Sequence, residues 1–176
     1  MTGETYERAD ICIIGCGRWM RRDDQVGLLT ARALQRMGVP ETRVITTESP
    51  AIDILANLDD VALLILIDAA RPDEDHPPGT WRRLKYDEHT FSYRPGVQLD
   101  SHALGVDAAL EVARATGHLP ENIWIYAIAA ADCELGTAPT TIVRRSVKDV
   151  ARGILTDIRE WRLSRNRRMP DLTAVS

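Results

Sequence analysis

The chain has 176 residues, a hydrophobic fraction of 44% and a formal net charge of −4. That length predicts one domain with a single sizeable core, and the acidic balance gives no general attraction to nucleic acid. No apolar run approaches the roughly 20 residues needed to span a bilayer, and the polar, acidic opening MTGETYERAD lacks the form of a secretory signal or transit peptide, so a cytoplasmic protein with no membrane attachment is expected.

The first element is a strand over about Asp10 to Ile14, with Cys12 inside it as a small buried hydrophobe. Cys12, Cys16 and Cys133 together leave an odd count, with no disulfide framework and no metal-type pair spacing. The strand runs into Gly15 and Gly17, and the paired acids Asp23 and Asp24 follow. This is not a dinucleotide loop. Met20 stands where the third glycine of GxGxxG belongs, and two carboxylates would repel a pyrophosphate.

A helix is predicted from about Asp24 to Met37, with Val26, Leu29, Ala33, Leu34 and Met37 as its apolar stripe and Gly38 with Pro40 closing it. RVITT (43–47) reads as a strand, and Ile52, Leu55 and Leu58 suggest a short helix. VALLILI (61–67) is a continuous apolar run of strand length, the signature of a strand buried on both faces of a parallel sheet. It ends in Asp68, a charge that is costly to bury without a partner or a role.

After a Pro-rich loop, Thr80 to Tyr86 alternates as an edge strand with solvated arginines. His89 to Asp100 is irregular. Ser101 then caps a helix to Ala115, with Leu104, Ala108, Leu110, Val112 and Ala115 among its apolar positions and Gly117 at its end. Asn122 to Ile128 is a second buried strand. A loop through Cys133, Gly136 and Pro139 leads to a last helix, Thr141 to about Leu163, with the stripe Val143, Val147, Val150, Ile154 and Ile158.

The arginines from Arg159 to Arg168 read as a solvated terminus. Strands alternating with helices predict an α/β three-layer sandwich with a mainly parallel, twisted central sheet flanked by helices. Residues 1–165 form the single domain and residues 166–176 a flexible tail.

Three polar residues fall at equivalent places in that scheme. Asp24 follows the first strand, Asp68 ends the central one, and His102 opens the helix after the long loop. In open α/β sheets ligands gather at the carboxyl ends of the strands. Two carboxylates and an imidazole there make an open three-ligand site suited to nickel, zinc or manganese. Taken singly, each has an ordinary explanation. Asp68 could cap a turn, and His102 could be an exposed helix-start histidine. Asp23 is assigned a structural part, favouring a helix N-terminus by about 0.3–1 kcal/mol. His76, His89 and His118 are surface residues without ligand spacing. On the residues alone the reading stops at an α/β protein with a crevice suited to metal or acid/base chemistry.

The blocks GCGRWMRRDDQVG, LILIDAA, SHALGVDAALEVA and CELGTAPTTIV, in this order and spacing, carry a further reading. Over roughly residues 10–160 the chain resembles the hydrogenase maturation endopeptidases, which remove the C-terminal extension of the [NiFe]-hydrogenase large-subunit precursor. The resemblance implies that Asp24, Asp68 and His102 are the catalytic and metal-contacting residues. It implies nickel as the metal, supplied by the substrate, with another divalent ion able to substitute. The implied partner is the large-subunit precursor, and the implied state a monomer.

Two positions depart from the family pattern: Arg18 replaces the usual Asn after Gly-x-Gly, and Glu48-Ser49 replaces a Gly-Thr pair. Both border the implied cleft. The competing reading is a non-catalytic maturation adaptor or chaperone that binds the metallated precursor. A nucleotide-binding oxidoreductase is disfavoured by Met20 and the two aspartates.

Overall fold

Strand β1 (Ile11–Cys16) is buried along its whole length, because it lies inside the sheet with helices on both faces. The structure, a computed structural model, describes residues 10–86 and 103–168. A short 3-10 turn (Arg22–Gln25) and helix α1 (Val26–Met37) follow β1. Then come β2 (Thr42–Thr47), α2 (Pro50–Ala56), β3 (Leu63–Ala70) and β4 (Trp81–Lys85). Helix α3 (Ala103–Ala115), β5 (Asn122–Ala129) and α4 (Thr141–Arg168) complete the described chain.

The sheet has five strands in the order β2-β1-β3-β5-β4. All pairings are parallel except β4 against β5, so β4 is the edge strand expected over Thr80 to Tyr86, and it runs antiparallel. Alternation along the strands divides the core. Ile11, Ile13, Ile65, Ile67 and Tyr126 face α1 and α4, whereas Cys12, Ile14, Leu64, Leu66 and Ile125 face α2 and α3. The outcome is the expected three-layer α/β sandwich.

Several boundaries and faces differ from the sequence reading. β3 continues through Asp68 to Ala70, so Asp68 lies inside a fully buried strand rather than at its end. α1 buries Leu28, and its expected stripe residue Met37 is 45% exposed. The reason is that α1 docks through its smallest residues. A Cβ on Gly15 would meet Gly27 O at 2.3 Å and Ala31 Cβ at 2.5 Å, and that contact fixes the rotation of the helix.

α2 buries Pro50 and Ile54, while Ile52 and Leu55 point outward. α3 buries Val106, Ala109, Leu110 and Ala113, a clean helical stripe in which Ala108 and Val112 take no part. The arginines of β4 are not simply solvated: Arg82 pairs with Asp73 at 3.4 Å and Arg83 with Asp157 at 3.0 Å. α4 continues to Arg168, past the boundary placed at residue 165, because Arg165 reaches Asp10 at 2.9 Å and covers the Trp161 ring. Ser101, His102, His89 and residues 169–176 lie outside the described residues. No described helix is long and apolar enough to cross a membrane.

Candidate functional site

β2 and β3 lie on opposite sides of β1, so the chain reverses its direction of travel across the sheet between β1 and β3. The crevice at the carboxyl end of such a switch point is where open α/β sheets hold their ligands. Both predicted carboxylates stand there. Asp24 lies in the turn following β1, and Asp68 is one step beyond the last β1–β3 partner pair, Gly15 with Ile67.

The tight path out of β1 positions Asp24. Gly17 has φ +146° and approaches so closely that a Cβ on it would fall 2.1 Å from Asp24 O. Met20 (φ +65°) and Arg22 (φ +39°) also adopt left-handed backbone, a conformation costing about 1–3 kcal/mol for residues with a side chain. Pairing with the loop before α4 holds them there. Gly136 N–H donates to Met20 O at 2.9 Å, and Arg22 N–H to Gly136 O at 3.1 Å. Arg22 also pairs with Asp132 at 2.6 Å.

Asp23 is the hub of this junction and carries far more than a helix-terminus contribution. It is fully buried, and its carboxylate accepts from Ala131 N–H at 2.8 Å, Asp132 N–H at 3.0 Å and Thr140 N–H at 2.6 Å. The Thr140 hydroxyl lies 3.0 and 2.9 Å from its two oxygens. The structural part assigned to Asp23 is therefore correct, but the expected size of it is too small.

Asp24 faces the other way. It is 1% exposed, and its Oδ2 accepts from both the backbone N–H and the Nε of Arg18, each at 3.0 Å. Asp68 is 4% exposed. Its Oδ1 accepts the N–H of Ala69 at 2.8 Å and its Oδ2 is buried. The carboxylate shares the α2/α3 face with Cys16. Burial, and after it the charges of Asp68 and of Asp53 on α2, push the Cys16 thiol well above its ordinary value. Past Asp68, the ends of β3 and β5 open into a cleft of about 160 Å³ lined by Ala69, Ala70, Pro72, Ala130, Asp132 and Cys133; neither Asp24 nor Asp68 lines it.

His102, the third predicted ligand, lies outside the described residues. α3 ends at the amino edge, where Gly117 to Leu119 lie beside Leu58 to Val61. Its 13 residues, about 20 Å of helix, run back toward the carboxyl edge on the Asp68 face. Among the described residues no group of three His, Cys, Asp or Glu side chains is placed to hold a metal ion. Sequence reasoning missed the Arg18–Asp24 pair and the proximity of Asp68 and Asp53 to Cys16. The even-numbered alternation Cys12, Ile14, Cys16 in β1 was the one signal for the latter.

No family model matches this chain, and no curated protein matches it. Solved structures do. The hydrogenase maturating endopeptidase HybD from E. coli superposes with a TM-score of 0.69 at 22% identity, over 85% of this chain and 92% of that one. The [NiFe] hydrogenase maturation protease HybD from Thermococcus kodakarensis gives 0.70 at 18% identity, over 83% and 97%. The maturation protease HycI from the same organism gives 0.57 at 19% identity, over 83% and 90%. The fold of this chain is therefore that of the hydrogenase maturation endopeptidases.

Proposed function

We propose that this chain is a hydrogenase maturation endopeptidase, which removes the C-terminal extension of a [NiFe]-hydrogenase large-subunit precursor and recognises the nickel already installed in it. The observation that carries this reading is the pair of buried carboxylates, Asp24 and Asp68, at the switch point of a sheet with that fold. A buried carboxylate is costly unless a cation or a proton joins it, and Arg18 already serves Asp24 at 3.0 Å. Nickel held by the substrate supplies such a cation, with His102 as the nitrogen ligand.

The reaction is hydrolysis. Water adds to the scissile carbonyl carbon, the C–N bond breaks, and the departing amine takes up a proton. Metal polarisation of the carbonyl and general-base action by a carboxylate are both open to this donor set.

One observation favours a second reading, a non-catalytic adaptor: Arg18 already engages Asp24. Incubating nickel-loaded and nickel-free precursor with the chain separates the two on a gel. Shortening of the loaded precursor alone supports the protease. Equal shortening of the nickel-free precursor sinks metal recognition, and tight binding without shortening gives the adaptor.

A further inference from the structure

The Arg18–Asp24 contact joins an arginine side chain that is one-third exposed to a carboxylate that is 1% exposed, at 3.0 Å. Arg18 is anchored twice, because its own backbone N–H binds the same Oδ2. A divalent ion ligated by Asp24 would sit within about 2.0–2.2 Å of a carboxylate oxygen, and so within a few ångströms of that fixed positive charge. Like charges at such range beside a buried carboxylate repel. The ion and the guanidinium cannot both occupy the carboxylate at full strength.

We propose that Arg18 is a built-in counter-cation of Asp24, exchanged for the metal when substrate binds, so that the site rejects free divalent ions and accepts only one delivered on a protein. The backbone N–H of residue 18 keeps the carboxylate oriented throughout. The guanidinium, already partly in solvent, swings outward. The contacts of the precursor itself supply the free energy that a free ion lacks. Arg18 is thus a specificity-determining residue, acting through Asp24. This inference rests on the metal-recognition reading above.

The test is a calorimetric titration of the full chain with Ni²⁺ alone, and again with Cd²⁺. Arg18→Gln, and Arg18→Met as a second neutral variant, should bind the ion at least tenfold more tightly than wild type. Arg18→Lys keeps the charge and should stay within about threefold of wild type. Asp24→Asn added to Arg18→Gln should abolish the gain. The proposal is overturned if the neutral variants bind no more tightly than wild type, or if Arg18→Lys gains as much as they do. If the gain persists with Asp24→Asn in place, Asp24 is not a ligand and the metal-recognition reading falls as well. Equal binding by wild type and the neutral variants, all abolished by Asp24→Asn, overturns the exchange alone.

Discussion

Asp23→Asn removes one charge and almost no volume, yet the hydrogen bonds around Asp23 make it a severe change. Both carboxylate oxygens accept from backbone N–H groups: Thr140 on Oδ1, and Ala131 and Asp132 on Oδ2. An amide offers one oxygen. Turned to serve Ala131 and Asp132, it sets its NH2 against the Thr140 N–H. The Thr140 hydroxyl can rotate to accept from the new amide, but the N–H is orphaned. A buried donor left without an acceptor costs about 1–3 kcal/mol, and bonds that lose their charge weaken by about half.

The expected loss is therefore about 2–4 kcal/mol for Asp23→Asn. It rises to about 4–6 kcal/mol for Asp23→Ala, which strands all three donors. Urea unfolding followed by circular dichroism reads it directly as a fall in midpoint at unchanged slope. A loss below about 1 kcal/mol in Asp23→Ala would refute the hub.

Gly27→Ala should lower stability by about 1–3 kcal/mol, since its Cβ would meet Cys16 O and Ile67 O at 2.3 Å; a thermal melt indistinguishable from wild type would contradict that packing. Burial pushes the Cys12 thiol up to about 11 and the Cys16 thiol well above its ordinary value. The folded chain holds protons there that the unfolded chain releases near 8.5, so stability should be flat below that pH and fall as pH climbs toward 11. Replacing both residues by alanine should flatten the alkaline limb, and an unchanged limb counts against the assignment. In the native chain at pH 8 iodoacetamide should label Cys133, which is partly exposed, well before the buried Cys12 and Cys16; mass spectrometry of the digest checks the order. Tyr126→Phe should cost about 1–2 kcal/mol, because the phenol donates to Asp157 at 2.5 Å; a neutral result would mean that Arg83 alone satisfies that carboxylate.

The strands were legible because burial on both faces leaves a continuous apolar run, as in LLILI of β3 and IWIYAI of β5. The helix faces were less so, for a physical reason. α1 meets the sheet through Gly27 and Ala31, residues a hydrophobic count ignores, and the large side chains arrange themselves around that contact. α2 is only seven residues long, too short for periodicity to define a phase. In α3 apolar residues occupy two faces, and only packing against α2 selects the one through Val106, Ala109, Leu110 and Ala113.

At the site, the position of Asp24 just after β1 and of Asp68 near the carboxyl end of β3 followed from two apolar strand runs that local sequence encodes. The opposite fates of adjacent Asp23 and Asp24 did not. The partners of Asp23 stand 108, 109 and 117 residues away, and nothing in RRDDQ distinguishes the acid that turns inward. Arg18 could be seen as a departure from the family pattern, but its bond to Asp24 depends on a turn that only Gly17 and the loop before α4 define.

Helix α4 starts just after Thr140, at the Asp23 hub, and finishes where Arg162 reaches Pro40 and Arg165 reaches Asp10. Its 28 residues make a rod of about 42 Å lying across the sheet from the carboxyl edge to the amino edge. The last described turn of α4 and the first described residue, Asp10, consequently emerge side by side on the edge opposite the carboxylates. Fluorophores or a surface tether attached at Asp10 or in the last described turn of α4 sit on the edge away from the crevice. A bulky client can then be captured on protein immobilised through that edge, opposite Asp24 and Asp68.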